Sequence, residues 1–192
     1  AETAAEAAAI TGFWGERGAT SIKVYSAIGP AAMRGAVEEA NRRGMHVAGH
    51  IGETSCAQAA EAGIHTIEHG LTSCVKDFGI TPETLGSFRY DSSSPAAKAL
   101  IALLVARKVT LVTTPAVGGP LERSEEELAM LSPDQRQRIQ TFVANRPPFL
   151  PSPEDQARID AAHRAFERDF VAAGGRLLIG GEAVVAAQAV VL

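Results

Sequence analysis

The sequence predicts an α/β fold with a parallel sheet, because short β-branched segments alternate along the chain with longer segments of helical periodicity. The 192 residues are enough for one domain with a sizeable core. Hydrophobic residues make up 46% of the chain and charged residues 21%, which are ordinary values for a globular protein. We therefore expect a single domain over residues 1–192, with no internal repeat beyond the alternation of strands and helices.

Three candidate strands lie in the first part of the chain: SIKVYS at 21–26, HVAGH at 46–50 and HTIEH at 65–69. Pro30 begins the helix between the first two strands, since proline is favoured in the first turn of a helix. Gly44 is a candidate for the C-terminal cap of that helix. A shorter helix follows the second strand, with Ser55 at its start and Gly63 at its end.

The second part of the chain continues the same alternation. Ser94 is expected to cap the amphipathic helix SPAAKALIALLVARK, and VTLVTT at 109–114 is the fourth candidate strand. Residues 115–152 are predicted to form a helical excursion with two short helices, and an insertion of this length is usually a lid or otherwise functional. A long helix at 153–173 then precedes the fifth strand, RLLIG at 176–180.

Charge and hydropathy exclude some classes of partner. The net charge is −4 at pH 7 and the basic residues do not cluster, so we expect no nucleic-acid partner. No apolar run reaches the roughly 18 residues that a membrane span needs, so we expect no membrane partner. The first residues do not form a signal peptide, which leaves the compartment unknown and the cytoplasm as the default expectation. Because the chain starts without Met and ends in the apolar run AVVAAQAVVL, we expect it to be cut or truncated at both ends.

The two cysteines do not form a CxxC pair. We interpret Cys56 and Cys74 as small buried or half-buried thiols. A disulfide between them is the alternative, which the spacing alone does not decide.

One lysine and two histidines are placed in successive strands in a way that predicts a shared site. Lys23 lies in the first strand, His50 ends the second and His69 ends the third. The carboxyl ends of parallel strands converge in a barrel, so we expect these three side chains to meet in space. Imidazole nitrogen is a good ligand for Zn²⁺. The alternatives are a lysine that extends to solvent and histidines that are hydrogen-bonded parts of the structure.

The segments that carry this pattern, IKVY at 22–25, GMHVAGHIGE at 44–53 and AAEAGIHTIEHG at 59–70, resemble the amidohydrolase superfamily. The likeness is to its imidazolonepropionase-like and Xaa-Pro-dipeptidase-like branch; it covers residues 15–183 and is weakest at 115–152. It implies a partial (β/α)₈ TIM-type barrel that contains strands four to eight of the family fold. Five strands cannot close such a barrel, so the first and last strands would be open edges.

The resemblance also implies roles for the matched residues. Lys23 matches a lysine that the family carboxylates so that it bridges two metals, and carboxylation needs the neutral amine that burial beside cations favours. His50 and His69 match two histidine ligands of the same centre. A pair of Zn²⁺ ions about 3.5–4 Å apart would activate a bridging water and polarise the scissile carbonyl. Tyr25, on the same strand face as Lys23, and Thr114, at the end of the fourth strand, are weaker candidates for substrate contacts.

Two parts of the family pattern are absent from this sequence. The first-strand His-X-His pair has no counterpart, and Glu182 stands where the family has its eighth-strand aspartate. Glu182 is therefore a weak catalytic candidate, because a displacement of about 1 Å can cost roughly a hundredfold in rate. We expect a metal-dependent hydrolase of amide, peptide or cyclic-amide C–N bonds, not fully active as this chain alone.

The expected partners are a small-molecule or dipeptide-like substrate and either a second copy of the chain or a complementing N-terminal half. The alternative is a non-catalytic remnant or degenerate paralogue of the same fold.

Other polar residues receive structural interpretations. His46 and His65 would lie at the far ends of their strands from the metals, as structural or exposed residues. His163 is expected on the surface of a helix or in its packing. Glu68 should alternate away from His69 and contact a helix.

Overall fold

The computed structural model describes residues 1–85, 87–114, 124–145 and 151–180. Five strands form one parallel sheet in the order β1-β2-β3-β4-β5. Their bounds are β1 Ser21–Val24, β2 His46–Gly49, β3 Thr66–Glu68, β4 Thr110–Thr113 and β5 Arg176–Ile179. Helices lie in each connection between strands, as parallel pairing requires. The predicted α/β fold with a parallel sheet is confirmed.

The helices also follow the sequence signals. Their bounds are α1 Ala4–Gly15, α2 Pro30–Arg42, α3 Cys56–Ala62, α4 Pro82–Leu85, α5 Pro95–Ala106, α6 Glu125–Ala129, α7 Pro133–Ala144 and α8 Pro153–Ala172, with a 3₁₀ helix at Gly70–Phe78. Ser55 and Ser94 cap α3 and α5 through their side chains, and Gly63 ends α3 with a φ of 93°. Helices α6 and α7 lie where the sequence predicts two short helices; 115–123 and 146–150 are outside the described residues.

One face of the sheet is apolar and covered by helices. Val47, Ile67 and Leu111 are fully buried in three adjacent strands. Ile67 is the register partner of Leu111 and of Gly49, which is two residues after Val47 and therefore on the same face of the sheet. They belong to the same core as Met33 of α2 and Leu104 of α5, and as Phe166 and Phe170 of α8. This helix-covered face contains most of the hydrophobic core.

The opposite face of the sheet is polar. Its middle row, whose members are register partners across the five strands, consists of Lys23, Ala48, Thr66, Thr110 and Arg176. Thr66 and Thr110 are buried at the centre, and Lys23 and Arg176 are exposed on the two edge strands. We call this side of the sheet the polar face.

Cys56, at the start of α3, and Cys74, in the 3₁₀ helix, form a disulfide and are both fully buried. The interpretation of these residues as free thiols is therefore wrong, and the alternative that the spacing left open is correct. The pairing depends on how α3 packs against the segment after β3, which local sequence does not encode. Among the described residues, no helix is long and apolar enough to cross a membrane.

Replacing both cysteines with serine should lower the free energy of unfolding by about 3 kcal/mol, because the bridge closes a loop with a sequence separation of 18. Urea denaturation of the wild type and of the Cys56→Ser/Cys74→Ser variant measures this difference. A thiol reductant should destabilise the wild type and leave the variant unchanged. Equal effects of the reductant on both proteins would contradict the bridge.

Candidate metal centre

The structure places Lys23, His50 and His69 at the same end of the sheet. Lys23 lies in β1, and His50 follows β2, where its backbone N–H donates to the carbonyl of Val24 at 3.1 Å. His69 follows β3 directly and is only 5% exposed. The carboxyl ends of the three strands therefore present an amine and two imidazoles together, as the sequence pattern predicts.

The backbone at His69 is in the left-handed conformation, with φ 66° and ψ 18°. In an extended strand, successive side chains point to opposite faces, so a straight continuation of β3 would direct Glu68 and His69 to different sides. The left-handed turn reverses this alternation. Both side chains consequently reach the polar face. Strand alternation alone would have predicted that they lie on opposite faces.

Aromatic contacts join the two candidate histidine ligands to Tyr25. The ring centroids of His50 and His69 are 4.5 Å apart at an interplanar angle of 70°. The ring of Tyr25 lies 5.9 Å from that of His50, and the Lys23 Nζ atom lies 5.3 Å from the centroid of the tyrosine ring. Tyr25 is 60% exposed, so its ring is accessible beside the two histidines.

The side chain of Glu68 lies between those of Lys23 and His69. Its carboxylate forms an ion pair with the ammonium of Lys23, and its Oε2 atom lies 4.0 Å from Nε2 of His69. The prediction that Glu68 turns away from His69 to contact a helix is therefore wrong. The register explains the difference, because Lys23 is aligned through Ala48 with Thr66, whose side chain shares a face with that of Glu68.

Thr114, at the end of β4, contacts the ring of His69. The hydroxyl Oγ1 and the Nδ1 atom of His69 form a hydrogen bond of 2.8 Å. The other ring nitrogen, Nε2, is buried on the side of Glu68. In metal sites, a ligating histidine is commonly oriented by a hydrogen bond to its second ring nitrogen. The observed contact of Thr114 thus suits a residue that orients His69, whereas the sequence suggested a contact with substrate.

Glu182, the weak catalytic candidate, lies outside the described residues, which end at Gly180. The last described contact near it is the hydrogen bond from the Gly180 N–H to the carbonyl of Thr113, at 2.7 Å. The role of Glu182 stays a prediction.

The donor atoms of this cluster suit a divalent cation, because imidazole and carboxylate are common ligands of such ions. Within the described residues, the nitrogen and oxygen atoms of His50, Glu68 and His69 are not all within 4.8 Å of one another. Side-chain rotations would therefore be needed to bring the three residues around one ion. The chemical types fit a metal centre, and the ion pair to Lys23 already holds a positive charge there.

A second group has ligand atoms within 4.8 Å of one another, namely Cys56, Cys74 and Asp77. A spacing of this kind could hold a metal ion, but the two sulfurs are bonded to each other. The carboxylate of Asp77 accepts the backbone N–H groups of Cys56 and Ala57 at 2.8 Å and 3.0 Å. In the disulfide form, these three residues therefore fasten the start of α3 to the 3₁₀ helix.

Helix α8 supports the turn that carries His69. Nε2 of His163 and the hydroxyl of Thr72 are 2.9 Å apart. A Cβ atom on Gly70, which has a φ of 52°, would come within 2.7 Å of Oε1 of Glu167, so the two elements are in close contact. Burial raises the pKa of Glu167, and a hydrogen bond to Thr113 partly opposes this change. His163 is thus a residue of helix packing, as the sequence suggested, and it packs against the site.

His46 and His65 lie at the amino ends of β2 and β3, away from the cluster. Their rings stack with centroids 4.9 Å apart. Nε2 of His46 is 2.9 Å from the hydroxyl of Thr66, and Nδ1 of His65 accepts the backbone N–H of Val47 at 3.0 Å. Burial lowers the pKa of His65, with a smaller contribution from His46. These contacts agree with the structural interpretation of both residues.

A groove of about 680 Å³ runs along the free edge of β1. Ile10 and Trp14 of α1 line one side of it, and Lys23 and Tyr25 line the other. Ile10 is 52% exposed and Trp14 is 54% exposed. The candidate site therefore opens sideways onto an apolar surface at the edge of the sheet.

Comparisons with known proteins agree with the fold. No protein-family model matches the chain, and no curated protein matches it in sequence. Two solved structures are similar to it, one from Bifidobacterium longum described as a putative prolidase and the other a bottromycin amidohydrolase.

Alignment to the first has a TM-score of 0.56 and 18% identity, over 94% of this chain and 39% of that one. Alignment to the second has a TM-score of 0.56 and 21% identity, over 92% of this chain and 40% of that one. This chain therefore shares its α/β fold with part of each of these two structures. It spans well under half the length of either protein.

The contact between α8 and the 3₁₀ helix predicts a specific dependence of stability on pH. Burial lowers the pKa of His163 from 6.5 to about 4, with a smaller effect from Arg164. Between these values, the unfolded chain binds a proton that the folded chain does not, so the free energy of unfolding falls as the pH is lowered from about 6.5 to about 4.

A His163→Gln variant keeps a hydrogen-bonding side chain beside Thr72 and removes this titration. Urea denaturation at a series of pH values should show a stability difference between wild type and variant that shrinks toward acid pH. Parallel stability curves for the two proteins would contradict the assignment.

Proposed function

We propose that this chain is part of a metal-dependent hydrolase that cleaves C–N bonds, with Lys23, His50 and His69 as ligands of the metal centre. The observation that supports this most strongly is the convergence of these residues at the carboxyl ends of three adjacent parallel strands. The centroids of the two histidine rings are 4.5 Å apart. Lys23 forms an ion pair with Glu68, whose carboxylate is 4.0 Å from the His69 ring. Carboxyl ends of parallel strands are the usual place for catalysis in α/β proteins.

We further propose that β1 to β5 are strands four to eight of a (β/α)₈ TIM-type barrel. The polar face would then be the barrel interior, since helices cover the opposite face of the sheet. The apolar groove along the free edge of β1 would be filled by the preceding part of the barrel. The alignments use 39% and 40% of two longer chains, which supports a chain that is part of a larger unit. In our proposal, a complementing N-terminal half supplies the rest of the barrel.

The names of the two structural neighbours, a prolidase and an amidohydrolase, support an amide or peptide bond as the substrate class. A bound pair of divalent metals, for which Zn²⁺ is our choice, would supply an activated water and polarise the substrate carbonyl. Lys23, once carboxylated, would contribute anionic oxygen ligands. Thr114 would hold the ring of His69 through its 2.8 Å hydrogen bond, and the exposed ring of Tyr25 would contact the substrate.

The alternative is a non-catalytic remnant of the same fold. The ion pair between Lys23 and Glu68 favours it, because a protonated lysine cannot be carboxylated. Metal stoichiometry separates the two proposals. Close to two Zn²⁺ per chain in the presence of bicarbonate supports the hydrolase, and none supports the remnant.

The ligand proposal predicts that His69→Asn weakens Zn²⁺ binding at least about tenfold, because loss of a ligand should cost no less than loss of a residue that orients one. His46→Asn is the matched control, since it changes a histidine of the same sheet at the opposite strand ends. Isothermal titration of the metal-free chain with Zn²⁺ in bicarbonate buffer measures both. Equal affinities of the two variants would overturn the assignment of His69.

A further inference from the structure

We propose that Glu68 is a direct ligand of a divalent cation bound together with His50 and His69, and that the Lys23 ammonium takes the place of this cation when the metal is absent. The inference rests on the proposed metal centre and adds a ligand to it. The result is a set of two histidines and one carboxylate, a combination that binds divalent transition metals and leaves coordination positions open.

The first support is distance. Two ligand atoms, each about 2.1 Å from a tetrahedral ion, are about 3.4 Å apart. Oε2 of Glu68 and Nε2 of His69 are separated by 4.0 Å, which is close to that value. The ring of His50 lies against the ring of His69, with centroids 4.5 Å apart. Rotations of the His50 and Glu68 side chains would complete the set.

The second support is charge. A cation that leaves water for a partly buried site needs a compensating anion, and neutral imidazoles do not provide one. Among the side chains of the cluster, Glu68 is the carboxylate, and its side chain is 21% exposed. Its partner in the structure is the ammonium of Lys23, so the site already stabilises a positive charge next to the histidines.

The third support is the backbone. A non-glycine residue in the left-handed conformation costs roughly 1–2 kcal/mol, and such conformations are concentrated at functional sites. Among the described residues, His69 and Lys108 have this conformation. At His69, its consequence is that two consecutive side chains, a carboxylate and an imidazole, reach the same side of the sheet.

The test is a titration of the metal-free chain with Co²⁺ in buffer depleted of carbon dioxide and bicarbonate, followed by calorimetry and by visible absorption of the bound cobalt. The wild type should bind one Co²⁺ per chain. Glu68→Gln should weaken this binding at least tenfold. Glu61→Gln, an exposed carboxylate on α3, is the matched control and should bind Co²⁺ like the wild type.

Lys23→Met gives an independent readout. It removes the competing ammonium, so in the depleted buffer it should bind the first Co²⁺ at least as tightly as the wild type. Circular dichroism reports folding of each variant, and if Glu68→Gln does not fold, Lys23→Met decides. Wild-type affinity of a folded Glu68→Gln, or a tenfold weaker affinity of Lys23→Met in this buffer, would overturn the inference.

Adding bicarbonate separates this inference from the proposed hydrolase. The hydrolase proposal requires a second metal that binds in bicarbonate and that Lys23→Met abolishes. A first metal dependent on Glu68 without such a second metal supports the inference and overturns the two-metal proposal. A second metal dependent on Lys23, with affinity unchanged in Glu68→Gln, does the opposite. Absence of any bound Co²⁺ overturns both.

Discussion

The left-handed backbone at His69 is the constraint on which the candidate site depends. Without it, strand alternation would send the imidazole toward the helix-covered face, into the core that contains Ile67 and Leu111. With it, the same ring reaches Thr114, His50 and Glu68. A conformation that costs roughly 1–2 kcal/mol persists only where surrounding contacts fix it. The hydrogen bond to Thr114 is one such contact, and Gly70 continues the turn with its own φ of 52°.

The segment after His69 is fixed from several directions. The hydroxyl of Ser73 donates to the carbonyl of Glu68 at 2.6 Å, which closes the turn on itself. The disulfide at Cys74 ties the 3₁₀ helix to α3, and His163 contacts it from α8. Each contact comes from a different element of the fold. The geometry of one candidate ligand, His69, therefore depends on the packing of two helices that have no side chain in the candidate site.

The sequence predicts the parts of this structure that depend on local chemistry. β-branched segments predict the strands. Serine and glycine are common helix caps, and they lie at the two ends of α3 in the structure, as predicted. The side of the sheet that the His69 ring reaches could not be predicted in this way, since it depends on the left-handed backbone at that residue. The contact of Thr114 with His69 required the alignment of β3 with β4, and the disulfide required the packing of α3, neither of which a single strand or helix reveals.

The ion pair between Lys23 and Glu68 balances the charges within the cluster. Side chains that are 36% and 21% exposed remain partly hydrated, so their attraction contributes little to stability, on the order of 1 kcal/mol or less. The ion pair gives each of the two charges a partner of opposite sign beside the buried ring of His69. In the proposed metal-bound state, a divalent ion would offer the carboxylate a stronger partner than the ammonium does, and the two imidazoles would be its other ligands. The charges of the polar face would then be balanced in that state as well.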